Sequence, residues 1–202
     1  MRLKKGFTIV EMLMVIAILA VLTGLITTAA TSAIRNARKN KADAAKTMIQ
    51  AGIATYYAQN DYWPPKSGEL NKLARDGDTE GKTAVYLSEK EYDVVMSELA
   101  AISAGKNAAS PVIDLTGLQV ATKSAASRKN GTGLEYREAV KQNRAHGTTI
   151  SLGDMVFGYA EPKTGYFKRF VIKYNIAADS VEVLKQDEAS GWSSSGGNVK
   201  ED

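Results

Sequence analysis

The chain has 202 residues, enough for one hydrophobic core plus a membrane segment. It contains no cysteine, which excludes a disulfide framework and cysteine-based zinc or redox chemistry. Its formal charge is +4, but Arg2, Lys4 and Lys5 supply three of these charges, so residues 7–202 carry only +1 and net charge gives no argument for nucleic-acid binding.

The N-terminus reads Lys4-Lys5-Gly6-Phe7-Thr8-Ile9-Val10-Glu11 and runs into residues 12–34, 23 positions without a charge. As a helix this run is about 35 Å long, enough for a hydrocarbon core of about 30 Å. Glu11 stands at its edge. An acid inside such a segment costs about 2.5–3.5 kcal/mol on insertion scales and calls for a partner. The helix macrodipole returns only about 0.3–1 kcal/mol, so the dipole alone does not account for it. A cut after Gly6 would create a cationic amine on Phe7, one helical turn from Glu11. The other reading is a removable secretory signal, but its apolar region carries no acid. Leader cations Arg2, Lys4 and Lys5 face Arg35, Arg38, Lys39 and Lys41 across the segment, so loop charge does not decide orientation.

The second half of the run holds Thr23, Gly24, Thr27, Thr28, Thr31 and Ser32. These residues form either a soft stretch, able to unwind in an assembly, or a set of small residues that lets helices pack closely. Helical periodicity continues beyond the membrane. Ala45, Met48, Ile49, Gly52, Ile53 and Tyr56 fall on one stripe, with Lys41, Asp43, Lys46 and Gln50 off it. Asn60-Asp61-Tyr62-Trp63-Pro64-Pro65 ends the helix near Gln59.

In the head, residues 67–75 predict a short helix closed near Gly77. Ser88-Glu89-Lys90-Glu91 is a capping box opening a helix with Tyr92, Val95, Met96, Leu99 and Ile102 inward, ended by Gly105. Residues 112–121 are read as a strand, 123–133 as a loop and 134–145 as helical. Alternation at Met155, Phe157 and Tyr159, at Phe170, Ile172, Tyr174 and Ile176, and at Val181 and Val183 predicts a three-stranded antiparallel meander with one apolar face. From Asp187 on, Gly and Ser dominate and a mobile tail is expected. The expected division is therefore 1–6 leader, 7–34 membrane half of the helix, 35–59 amphipathic half, 60–186 α+β head and 187–202 tail.

Basic residues, then Gly-Phe-Thr-Ile-Val-Glu, then an apolar run resemble the class III leader of type IV prepilins and type II secretion pseudopilins. The resemblance is strong over residues 1–34 and fades beyond residue 65. It implies a pilin-like α+β fold: a long N-terminal helix, its first half transmembrane, packed on an antiparallel β-meander head. It further implies that a prepilin peptidase cuts between Gly6 and Phe7 after the leader charges Lys4 and Lys5 and N-methylates Phe7. By the same resemblance Glu11 docks subunits into a filament. The implied partners are that peptidase, other copies of the chain or related pilins, an assembly platform with its ATPase, and the cytoplasmic membrane. The protein would wait there as a single-pass protein with its head outside the cytoplasm, then pass into a pilus or pseudopilus. The family commonly places a proline near Thr27 and Thr28 and often closes a C-terminal disulfide loop; this chain has neither.

No enzyme is expected; the alternative from another class, a membrane-tethered enzyme or binding head on a pilin-like anchor, has no catalytic set to support it. His146 is the single histidine, so no Ser-His-Asp or zinc cluster assembles around it, and phosphate-loop and dinucleotide fingerprints are missing. No cofactor is expected. The acids nearest to a calcium loop of the pseudopilin kind are Asp187 and Glu188, without regular ligand spacing. Arg128, Lys129, Arg137, Lys141 and Arg144 read as a solvated face, and no nucleic acid is expected as a partner.

Overall fold

A computed structural model describes residues 8–65, 84–100, 113–140, 155–176, 178–193 and 197–199. Helix α1, Ile9–Asn60, runs unbroken for 52 residues, about 78 Å at 1.5 Å per residue. Thr8 caps its start; Asp61, in the left-handed region at φ 62°, ends it by donating its N–H to the Tyr57 carbonyl at 2.8 Å. The helix divides by what covers it. Its most apolar stretch has no buried residue among the described residues, and Ile9, Val10, Leu13, Leu25 and Ile26 are each more than 60% exposed. The expected stripe turns inward: Ala45, Ile49, Gly52 and Ile53 are buried, with Met48 and Tyr56 packed beside them, and Ala42, outside the expected set, is buried one turn earlier.

The head follows as β1 (Ala84–Tyr86), α2 (Glu89–Leu99), a 3-10 turn (Leu115–Gly117), β2 (Gln119–Thr122), α3 (Lys123–Ala126), β3 (Leu134–Glu135), β4 (Met155–Ala160), β5 (Phe167–Lys168), β6 (Val171–Asn175), β7 (Ser180–Leu184) and β8 (Gly197–Val199). The capping box at α2 forms as spelled: Ser88 Oγ accepts from the Glu91 N–H, and Glu91 Oε2 accepts from the Ser88 N–H at 2.8 Å. Tyr92, Val95, Met96 and Leu99 are buried. Ile102, Gly105, the 67–75 helix, His146, Lys141 and Arg144 lie outside the described residues.

Two antiparallel sheets make the β layer, in the orders β7-β6-β1-β8 and β3-β2-β4-β5. The α+β class is as expected, but the strand pairing differs from a single meander. Only β6 and β7 pair consecutively as predicted, Val171 opposite Leu184 through Asn175 opposite Ser180. β4 pairs with β2 and β5 instead of β6. The reason is burial on both faces. Phe157 and Tyr159 enter the main core, while Val156 joins Ala121 and Phe167 in a second cluster. Alternation shows which side chains share a face, not which strand lies alongside. Residues 134–135 form strand β3 and 136–140 are helical, and 123–126 form a helical turn within the expected loop. Described parts of the stretch read as a tail pack instead: Ala189 is buried, Trp192 donates its indole N–H to the Leu87 carbonyl at 3.2 Å, and β8 pairs with β1.

Two contacts join the covered half of α1 to the C-terminal strands. Near the helix end, Tyr57 stacks on Trp63 with ring centroids 4.1 Å apart. Trp63 and Tyr174 both donate to Asp179 Oδ1, at 3.2 and 2.7 Å. Nearer the membrane half, Lys185 Nζ meets Asp43 Oδ1 at 2.8 Å and Glu188 Oε1 at 2.9 Å, and Lys46 Nζ meets Glu188 Oε2 at 3.0 Å.

Candidate functional site

The candidate site is the bare half of α1 and its first turn. Glu11 is the single ionised group between Thr8 and Ile34. Its Oε2 accepts the Thr8 backbone N–H at 2.8 Å and the Thr8 hydroxyl at 3.0 Å, while its own N–H donates to Thr8 Oγ1 at 3.3 Å. This is a complete capping box. Thr8-x-x-Glu11 has the spacing of that motif, so the sequence spells a local partner that the reading of Glu11 from charge alone leaves out. Caps contribute about 0.5–2 kcal/mol, and with the dipole they offset a large part of the insertion cost. Oε2 is committed to the cap, and Oε1 accepts no hydrogen bond from the described residues. Gly6, Phe7, Lys4 and Lys5 lie outside the described residues.

Farther along, the threonines bond back to the helix. Thr23 Oγ1 donates to the Leu19 carbonyl at 2.7 Å, Thr27 to Thr23 at 2.8 Å, Thr28 to Leu25 at 2.9 Å and Thr31 to Thr28 at 2.9 Å. Each hydroxyl is thereby satisfied without water, which suits a segment in lipid or between helices. A Cβ at Gly24 would meet nothing within 4 Å. The helix is closed through residues 23–32 in the single chain.

Asp187 and Glu188 lie in the turn after β7. Both Glu188 oxygens are taken by Lys185 and Lys46. Among the described residues no cluster of three or more acids, histidines or cysteines could hold an ion. Burial raises the Glu188 pKa, but the Lys185 N–H, the Lys185 ammonium and Lys46 outweigh it and hold the carboxyl down to about 2. Sequence reasoning missed this clasp because Asp43 and Lys46 look like solvent positions beside the apolar stripe. It also missed the buried Arg169, whose Nε and Nη2 grip Asp93 at 3.0 and 3.2 Å while Nη1 meets Glu89 Oε2 at 3.0 Å. Those partners lie 76 and 80 residues away, and no local pattern announces them.

A continuous helix with one bare apolar half and one half seated on antiparallel sheets defines the class: a membrane-anchored α+β protein with a pilin-like fold. Residues 1–27 match the family model of the prokaryotic N-terminal methylation motif, the class III prepilin leader of type IV pilins and pseudopilins. The match covers the leader and the start of α1; it supports a type IV pilin- or pseudopilin-like reading, and the motif implies processing by prepilin peptidase and assembly with copies of itself. No curated protein and no solved structure matches it.

Proposed function

We propose that the protein is a structural subunit of a type IV pilus-like filament. Prepilin peptidase cuts between Gly6 and Phe7, with Lys4 and Lys5 left on the leader, and N-methylates Phe7. The subunit waits in the cytoplasmic membrane with its head outside the cytoplasm until an assembly platform and its ATPase extract it. The apolar half of α1 then exchanges lipid for neighbouring helices at small net change. The Phe7 amine of one copy meets Glu11 of the next, which fixes register because an unpaired charge in that interior is the heavily penalised state.

One observation carries the reading: the first half of α1 is apolar, continuous and left uncovered by the described residues, yet keeps one carboxylate with an oxygen outside its cap. The cap dictates the choice of variant. Glu11→Ala removes both charge and cap. Glu11→Gln keeps a side chain suited to the capping box and removes only the charge. Both variants are expected to be cleaved and inserted normally and to yield no sheared filaments. Wild-type filament yield from Glu11→Gln would reduce Glu11 to a helix cap. Mass analysis of the native amino terminus should find methylated Phe7; an intact leader would overturn the processing step. A major-type secretion pseudopilin is the same kind of subunit in a different machine, and neighbouring genes for a secretin and exported substrates would assign it there.

A further inference from the structure

Where the head begins to cover α1, just past its membrane half, there is a groove of about 270 Å³. Arg38 and Lys41 of α1 form one wall, Gln119 and Glu135 of the second sheet the other, with Gly117 and Gly165 also lining it. Lys41 and Glu135 neutralise each other in an ion pair. Arg38 is half-buried and has no carboxylate partner among the described residues. Its guanidinium lies against Gly165, at φ 77°, where an added Cβ would come within 2.8–2.9 Å of the guanidinium atoms. The turn after β4 therefore lies against this cation, and no described carboxylate pairs with it. Arg35, Lys39 and Lys163, near Arg38 and Gly165 in the sequence, are exposed. Glu161, on the same turn, accepts the Thr164 hydroxyl.

The height of the groove suggests the ligand. Arg38 is four residues past Ile34, the last of the uncharged run, and so about 6 Å along the axis; Lys41 is about 10 Å along. A bilayer's headgroup layer adds about 5–8 Å on each side of the hydrocarbon. Arg38 thus stands at the depth of lipid phosphates, with a planar fork suited to two parallel hydrogen bonds to one of them. We infer that the groove between α1 and the second sheet binds the phosphate of an anionic membrane lipid, with Arg38 as the anchor. This rests on the reading that residues 12–34 hold the chain in the bilayer with its head outside. A bound lipid would seat the head at a fixed height, and extraction into a filament would release it.

The test uses the full-length chain in nanodiscs of phosphatidylcholine, with or without phosphatidylglycerol. Thermal unfolding of the head and native mass spectrometry of retained lipid are the readouts. Phosphatidylglycerol should raise the unfolding midpoint and remain bound. Arg38→Gln should lower its retention about tenfold or more, and Lys39→Gln by at most about fivefold, the share of one surface cation. Gly117→Leu keeps every charge and places bulk where a Cβ meets nothing within 4 Å; it should lose retention as Arg38→Gln does. Equal retention of both lipids, or equal loss in Arg38→Gln and Lys39→Gln, would overturn the site. So would millimolar inorganic phosphate reproducing the stabilisation in phosphatidylcholine alone, since the groove would then take a free anion. Carbonate extraction and labelling of a cysteine placed in the head are read first. A chain that fails to insert overturns the membrane reading and the groove together; an inserted chain without selective retention overturns the groove alone.

Discussion

Arg169 shows how much one side chain can carry. It is 6% exposed, grips Asp93 with two nitrogens and reaches Glu89 with a third. Both acids are on α2, so the arginine fastens that helix to the strands beside residue 169. Replacing one partner of a buried ion pair typically costs about 3–5 kcal/mol because the other charge is stranded. Here Asp93 and Glu89 keep 25% and 32% of their side-chain surface in water and can rehydrate. Arg169→Met is therefore expected to cost less, about 2–3 kcal/mol, read as a lower urea midpoint. Arg169→Lys should recover only part of it, since a single ammonium cannot span both acids in the same fork. Tyr92, on the same helix, donates its buried hydroxyl to the Phe157 carbonyl at 3.1 Å. Burial raises the pKa of that hydroxyl far above the ordinary tyrosine value, so it stays a donor at any pH the fold survives.

Within α1, two glycines make opposite predictions. At Gly24 a Cβ meets nothing, whereas at Gly52 it would fall 2.1 Å from the Ile113 Cγ2 methyl. Alanine improves a helix interior by about 0.8–1 kcal/mol, and forcing a methyl into a packed core costs about 1–3 kcal/mol. Gly24→Ala should thus raise helicity in detergent without loss of head stability. Gly52→Ala should lower head stability by up to about 2 kcal/mol in a denaturant titration. The Ala45–Ile53 stripe that Gly52 belongs to was readable from spacing, because a helix shows its inward face every three to four residues. The capping box at Ser88 was readable for the same reason: both partners lie within one turn. The pairing of β4 was not. Its partners Gln119–Thr122 and Phe167–Lys168 are chosen by burial on both faces, and alternation is blind to that choice. The C-terminal Gly/Ser composition misled in the same way, since Trp192 and β8 find distant partners on β1 and the loop after it. At the candidate site, the sequence displayed the apolar run, Glu11 and the threonines, but not the Arg38 groove, whose walls come from four separate segments.

The whole molecule must move as one rigid piece if pulling on α1 is to lift the head. Burial of the stripe supplies most of the grip. The cluster Asp43–Lys185–Glu188–Lys46 pins the C-terminal turn to the helix near the point where α1 leaves the head. For Lys185, burial alone would lower the pKa, but its bonds to Asp43 and Glu188 outweigh that and raise it above the usual lysine value. Glu188 is held down to about 2 from a usual 4.5. A depressed carboxyl contributes stability above its unfolded value and loses it as pH falls through the folded one. A raised ammonium contributes below its unfolded value and loses it only as pH climbs past the folded one. The clasp is therefore complete from about pH 5 to pH 10 and fails on the acid side, between about pH 4.5 and 2. Glu188→Gln should flatten this acid limb of the stability curve, measured by fluorescence of Trp63 and Trp192 during thermal unfolding at stepped pH. Because Glu188 is about a third exposed, solvent screening keeps the effect modest, so the change of slope below pH 4.5 is the decisive reading. An unchanged slope in Glu188→Gln would assign the grip between helix and head to apolar burial alone.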